Sequence, residues 1–252
     1  MRPPLPDPRP ISPLGSFVRH AITLAVMAIG GLGLFVACVL ALPFRGLRLR
    51  AGTFACNTAG PIGLRVMGTD LVVHGRDEQL AAGPAIYVAN HSSDLDPLIC
   101  MTLLAPPSLT IAKWQFVLVP IVGQLFWLSG NLPIDRSRTD RAKRSMARAA
   151  ALVARYRLSL WIWPEGTQPH DGQMLPLKKG FAHLALATGL PVVPVIAHGA
   201  HLLQPARSRR LAAGTLHVTY GPRIDTSDWR PETLEDHTRE VERIMKQALG
   251  QA

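Results

Sequence analysis

Twenty-three consecutive residues without a charged side chain, Ala21 to Pro43, constrain this chain more than any other feature. A helix needs about 20 apolar residues to cross a bilayer. The run is too long for the apolar core of a signal peptide, and no polar stretch with a small-x-small cleavage site follows it. It is therefore expected to stay attached as a membrane helix, the alternative being a buried helix of a soluble domain. Arg2, Arg9 and Arg19 precede it and Arg45, Arg48 and Arg50 follow it, so positive-inside counting sets no orientation. Glycines at 30, 31 and 33 can bend the helix, which keeps a shallow insertion in one leaflet open beside a full span. Residues 44–68 mix arginines with apolar residues and are expected to lie along the interface.

The chain has 252 residues, enough for one α/β domain behind this segment. Its formal net charge is +10, and of its 27 basic residues only five are lysine. Arginine holds phosphate through a planar fork of donors. The charge alone admits nucleic acid, an anionic membrane or a phosphorylated substrate. A nucleic-acid partner is not expected, because only Tyr156 interleaves with the basic stretch 136–157. Cys38, Cys56 and Cys100 are far apart, which argues against a disulfide framework, a zinc site or a thiol nucleophile.

Residues 1–16 are proline-rich and read as an irregular arm, 17–68 as a membrane-associating helical segment, and 69–252 as one catalytic domain. Strands are expected at Leu71–His74, Ala85–Ala89, Ser159–Trp163, Val192–Ala197 and Thr215–Tyr220. Helices are expected at Pro97–Leu104, Thr139–Tyr156, Gly180–Thr188 and Pro231–Leu249. This alternation predicts an α/β fold with a central mixed β-sheet covered by helices.

Four blocks carry chemistry. Asn90-His91-Ser92-Ser93-Asp94-Leu95-Asp96-Pro97 follows a strand, where α/β folds place their sites. Five residues along a helix turn through about 140°, so His91 and Asp96 meet only if the chain turns, and Asp96-Pro97 favours that. Asp96 would then fix the imidazole tautomer and leave the other nitrogen free to take a proton. Asp96 as a helix N-cap, or Asp94 as the partner, are alternatives. The second block is Gly130-Asn131-Leu132-Pro133-Ile134-Asp135-Arg136, where an arginine at a strand end suits a phosphate monoester. Arg148, Arg155 and Arg157, further on, read as a solvated face. The third is Trp163-Pro164-Glu165-Gly166-Thr167, a candidate polar pocket floor. The fourth is the run Pro191–Val195, whose two prolines imply an edge or bulged strand.

In this order the blocks resemble the glycerophospholipid acyltransferases, specifically the 1-acylglycerol-3-phosphate acyltransferase family. The family's Asn-His-x-Ser-x-x-Asp is matched by Asn90, His91, Ser93 and Asp96. Its Gly-x-x-Phe-Ile-x-Arg is matched by Gly130, Ile134 and Arg136, with Pro133 for phenylalanine. Its Phe-Pro-Glu-Gly-Thr-Arg-Ser is matched by Pro164 to Thr167, and its Pro-Val-x-Pro-Val by Pro191 to Val195. The stretches around Ala112-Lys113 and Leu175 to Phe181, which holds Lys178, are also similar.

The resemblance implies the glycerolipid acyltransferase fold, with His91 as general base and Asp96 orienting it. It implies Arg136 on the acceptor phosphate. Glu165, Gly166 and Thr167 complete the acceptor site, with Gly130, Lys113 and Lys178 as further substrate-binding residues. The implied reaction is direct attack of an acceptor hydroxyl on acyl-CoA or acyl-acyl carrier protein, with no cofactor, metal or covalent acyl-enzyme. The implied partners are the bilayer, a lysophospholipid and an acyl thioester. The implied place is the inner membrane, with the catalytic domain on the cytoplasmic side. Gln168 and Pro169 stand where the family has arginine and serine. A missing charge-assisted hydrogen bond is worth about 1.5–3 kcal/mol, so another lysophospholipid or a lyso-ornithine lipid is the alternative acceptor. The remote alternative is an inactive lipid-binding membrane protein.

Overall fold

A computed structural model describes residues 2–134, 139–169 and 171–251, with backbone alone at 113, 134 and 139–143. The chain opens with a two-residue strand, β1 (Arg9–Pro10), and two long helices, α1 (Pro13–Leu40) and α2 (Arg45–Met67). There follow β2 (Thr69–His74), α3 (Arg76–Ala81), β3 (Ile86–Ala89), α4 (Asp96–Leu103), β4 (Ser108–Lys113), α5 (Val122–Leu128) and β5 (Leu132–Ile134). The remainder is α6 (Thr139–Tyr156), β6 (Ser159–Ile162), α7 (Gly180–Thr188), β7 (Val192–His198), α8 (Ala200–Leu203), β8 (Ala212–Tyr220) and α9 (Leu234–Leu249).

The central strands β7, β3, β6, β4 and β5 lie side by side in that order and run parallel. Beyond β7, β8 is antiparallel, and β2 pairs parallel to β8. The sheet is mixed, as expected. From β3 the chain crosses over β6 to reach β4, and from β6 it crosses over β3 to reach β7. Successive crossovers thus leave β3 and β6 in opposite directions, which opens a crevice at their carboxyl ends.

Alternation along the strands divides the core between two faces. Ile86, Val88, Leu160, Ile162, Val192 and Ile196 pack with Val153 of α6, Phe181 of α7 and Val241 and Met245 of α9. Tyr87, Trp161, Val193 and Val195 face the other way, toward Leu64 of α2 and Leu98, Ile99 and Leu103 of α4.

The first two helices form an antiparallel hairpin laid on this second face. Arg19 Nη1 donates to the Val66 carbonyl at 2.6 Å, and a side chain at Gly30 would meet Ala59. Phe44, Leu47, Phe54 and Ile62 of residues 44–68 stay exposed, while on its other side α2 runs against α4. Small residues make this possible: a Cβ on Gly60 would stand 2.7 Å from the Thr102 backbone nitrogen, and one on Gly63 would stand 2.9 Å from Leu98. Leu14, Phe17, Leu24, Ile29 and Leu32 of α1 stay exposed, as do Leu40, Leu42 and Phe44 at the hairpin tip.

Two expectations are corrected, and a third is met in one of its two forms. The arm is not irregular throughout: Arg9 and Pro10 pair with β8, and α1 starts at Pro13, capped by the Ser12 hydroxyl. Strands β4 and β5 were absent from the periodicity reading, because Pro106-Pro107 abuts one and the other is a three-residue edge strand holding Pro133. The proline-bearing strand β7 is not an edge; it lies between β3 and β8. Pro194 is accommodated by a bulge: Val195 pairs with Tyr220 and Val192 with Ile224, so residues 221–223 oppose only Val193 and Pro194.

Alanine ordinarily favours a helix over glycine, yet Gly60→Ala is expected to destabilise the protein by about 1–3 kcal/mol, because the methyl group meets the α4 backbone. Thermal unfolding in detergent checks this. An unchanged or higher midpoint would mean that α2 and α4 can part freely.

Candidate active site

Chemistry-bearing residues gather where β3, β6 and β7 end. Asn90 continues β3 with its side chain: Oδ1 accepts the Ala197 N–H at 2.8 Å, and Nδ2 donates to the Ala197 carbonyl at 3.1 Å. This side-chain ladder holds the next residue, His91, at the mouth of the crevice.

Beyond His91 the chain turns tightly about one carboxylate. Asp96 Oδ2 accepts the backbone N–H groups of Ser92 at 2.7 Å and Ser93 at 2.9 Å. The same oxygen lies 2.8 Å from His91 Nδ1. An oxygen already accepting two N–H groups faces Nδ1 as an acceptor, so Nδ1 carries the proton and Nε2 keeps its lone pair. Asp96 rather than Asp94 is therefore the partner. It sits at the start of α4, and its side chain caps the preceding turn instead of its own helix. The side chain of Asp96 is 3% exposed and that of His91 20%, so the pair is buried at one end and open at the other. Burial pushes the Asp96 carboxyl above its ordinary range, against the pull of its hydrogen bonds from His91, Ser93 and Ser92.

The Ser93 hydroxyl, fully buried, donates to the Gln204 carbonyl at 2.7 Å and accepts the Leu95 N–H at 3.0 Å. It braces the turn from behind.

Strand β6 supplies the other wall. Glu165 is buried, and its two oxygens accept two backbone N–H groups, His91 on Oε1 and Leu175 on Oε2, both at 2.7 Å. It fastens the His91 turn to the segment that enters α7. Burial, outweighing these two bonds, lifts its carboxyl to about 7. Gly166, at φ 74, lies under Lys178, whose Nζ would stand 2.6 Å from any Cβ there. Exposed Thr167 adjoins them.

Two contributors were not singled out from the sequence as site residues. The Trp163 ring stacks on the His91 imidazole, centroids 4.9 Å apart and planes 24° from parallel. Gln168 Nε2 donates to the Ser93 carbonyl at 2.6 Å, so the residue that departs from the family pattern closes the third block onto the first. Aromatic stacking across adjacent strand ends has no one-dimensional signature. For Gln168 the departure itself was the only signal.

Gly130 lies elsewhere. It precedes β5, at the amino end of the sheet, with φ 92 and its carbonyl taken by Arg45 Nε and Nη2. Only the far end of β5 points toward the His91 side. Arg136 lies outside the described residues, and Lys113 is described only as the last residue of β4. Among the described residues no group of three or more His, Cys, Asp or Glu side chains is arranged to hold a metal ion.

Residues 70–198 match the family model described as Acyltransferase. The chain is 34% identical over 225 residues to a 1-acyl-sn-glycerol-3-phosphate acyltransferase of Limnanthes douglasii, covering 89% of this chain and 78% of the relative. It is 32% identical over 169 residues to the protein of that name in Escherichia coli (strain K12), covering 67% and 68%. The fold is that of the crystal structure of the 1-acyl-sn-glycerophosphate (LPA) acyltransferase from Thermotoga maritima, with a TM-score of 0.76 at 20% identity over 94% of this chain and 95% of that one.

Because all three donors converge on a single Asp96 oxygen, Asp96→Asn can keep the turn while losing the charge. It is expected to unfold near the wild-type midpoint with turnover lowered about 10²–10⁴-fold. Asp96→Ala strands two buried N–H groups and is expected to lose about 1–3 kcal/mol for each. Equal midpoints for the two variants would remove this account of the turn.

Glu165→Gln offers one acceptor where two N–H groups need one each, at an expected cost of about 1–3 kcal/mol. The raised carboxyl adds a pH signature. The folded protein holds this proton more tightly than the unfolded chain does, so its contribution to stability is full below the ordinary glutamate value and lost as pH rises through about 7. The fall in midpoint between pH 5 and 7 should flatten in Glu165→Gln, and an unaltered slope would place the titration elsewhere.

Proposed function

The chain belongs to the 1-acyl-sn-glycerol-3-phosphate acyltransferase family, and from that premise we propose how its residues make phosphatidic acid from 1-acyl-sn-glycerol-3-phosphate and an acyl thioester. The observation that carries the reading is the histidine fixed by Asp96 at Nδ1 and free at Nε2, at the mouth of the β3–β6 crevice.

His91 Nε2 takes the proton of the acceptor hydroxyl as its oxygen attacks the thioester carbonyl. Asp96 stabilises the imidazolium that results. Collapse of the tetrahedral intermediate breaks the C–S bond and forms the ester, and the proton on Nε2 passes to the departing thiolate. Coenzyme A or acyl carrier protein is the thiol that leaves. Trp163 limits how far the imidazole can rotate and shields it from water. Arg136 and Lys178 hold the acceptor phosphate, with Gly166 and Thr167 beside them, and Lys113 is a further cation for substrate. Glu165 acts through the backbone as a positioning residue.

The enzyme works at a membrane. Helix α1 has a mean hydropathy of 2.4 over its most apolar window, and only 11% of that window is buried. It runs back along α2, which is itself fixed to α4, so the hairpin is suited to enter one leaflet while the crevice stays at the surface. The inner membrane, with the domain on its cytoplasmic side, is where acyl thioesters and lysophospholipid meet.

One observation favours a second acceptor. Gln168 brings no charge to the crevice, and its amide is engaged by Ser93, which suits a head group less anionic than a phosphomonoester.

The test is thiol release from oleoyl-CoA by purified protein with lysophosphatidic acid, lysophosphatidylcholine, lysophosphatidylglycerol and lyso-ornithine lipid as acceptors. Release is expected to depend on acceptor and to be greatest with lysophosphatidic acid, and a preference for another lysolipid would select the second reading. His91→Ala should fold normally and turn over about 10²–10⁴-fold more slowly. Near-normal turnover would remove the general base. Arg136→Ala should raise the KM for acceptor more than that for oleoyl-CoA, and the reverse would move Arg136 to the donor.

A further inference from the structure

At the end of the sheet opposite His91, two adjoining cavities of about 540 and 530 Å³ form a groove between the hairpin tip and α6, with Arg45 and Arg155 lining both. Arg50 and Arg157 line the first, and Arg148 the second. Among the described residues that line it, none carries a compensating negative charge. No residue between Asp7 and Asp70 is acidic, nor is any between Asp140 and Glu165. Among the described residues none of these five arginines forms an ion pair. Arg45 spends Nε and Nη2 on the Gly130 carbonyl, and Arg155 lies 5.4 Å from the Tyr156 ring centre. The others are exposed.

The groove opens onto the apolar surface that α1 begins. Phe44 and Leu47 line the first cavity at 64% and 54% exposure, and Trp127 lines the second at 58%. Guanidinium groups beside an exposed apolar rim match a ligand with an anionic head and a hydrocarbon tail. A nucleotide or free phosphate uses the arginines alone. Aromatic residues and arginines at this depth are how proteins meet the boundary between headgroups and acyl chains.

We propose that this groove binds the phosphate of an anionic membrane glycerophospholipid, its acyl chains lying against Phe44, Leu47 and Trp127. The site is separate from the crevice that holds His91. It would seat the hairpin tip at a set depth in anionic bilayers and favour them over neutral ones.

The test titrates detergent-purified full-length protein with short-chain phosphatidylglycerol, short-chain phosphatidylcholine and inorganic phosphate, reading the unfolding midpoint. Phosphatidylglycerol should raise the midpoint well above the effect of either other probe. The triple variant Arg50→Gln, Arg148→Gln, Arg155→Gln should weaken the apparent affinity by roughly fivefold per guanidinium removed. A control variant, Arg9→Gln, Arg209→Gln, Arg210→Gln, loses equal charge elsewhere and should respond as wild type does. Acyl transfer in neutral micelles should be unchanged in the groove variant. An equal response to phosphatidylglycerol in groove variant and wild type would overturn the site. Stabilisation by inorganic phosphate alone equal to that by phosphatidylglycerol would overturn the lipid as its occupant. Equal losses in both variants would reduce the effect to net charge.

Discussion

One carboxylate oxygen organises this structure. Asp96 Oδ2 receives the Ser92 and Ser93 N–H groups and His91 Nδ1, so the fold of the turn and the state of the histidine are set by the same atom. A carboxylate this deeply buried is costly unless it is met by donors. Here the donors are two backbone groups and the catalytic candidate itself. The desolvation that would discharge Asp96 is what makes its interaction with a nascent imidazolium strong, since little water screens the pair. The serine spacing of the first block follows from this demand: the backbone must wrap one oxygen, and the Ser93 hydroxyl must secure the wrap to Gln204.

Glu165 extends the same principle across strands. Adjacent parallel strands stop pairing at their carboxyl ends, where outgoing chains diverge and leave N–H groups without partners. One such group, on His91, and a second on Leu175 in the loop that enters α7 are answered by the two oxygens of one side chain. A glutamate in the third block thus answers the backbone whatever the acceptor is. Asn90 does the corresponding work between β3 and β7 with its paired donor and acceptor. The crevice is therefore held open by side chains standing in for strand ladder, where neither helix nor sheet continues.

Much of this was legible in the sequence. The apolar runs at 85–89, 159–163 and 192–197 correspond to three parallel central strands, and the polar residues directly after the first two are the ones that meet in the candidate site. What was hidden shared a physical character. Strand β5 has three residues and a proline, too little for any period to register. Trp163 and Gln168 act across strand ends, and their partners are fixed only when β3 and β6 become neighbours. Gly130 was grouped with the site because it shares a block with Arg136, yet a three-residue strand separates the two. Sequence proximity carried the grouping, and strand direction undoes it for the glycine.

The hairpin shows why an apolar run alone fixes neither a span nor a depth. Hydropathy marks α1, but where α1 can go is decided by α2, whose mean character is nearly neutral and whose message lies in small residues. Gly60 and Gly63 let α2 approach α4 closely, and Arg45 and Arg48 tie its start to the Gly130 and Leu128 carbonyls. With α2 held at both ends, α1 can bury its free face in lipid only by bringing the whole sheet to the surface with it. Depth in a bilayer would then be limited by the first charges that resist burial, and Arg45, Arg48 and Arg50 are the charges nearest the tip. A helix that reads as a transmembrane span in one dimension is, once paired, tied through α2 and α4 to the sheet that carries the crevice, so that hydropathy alone does not decide where it can go.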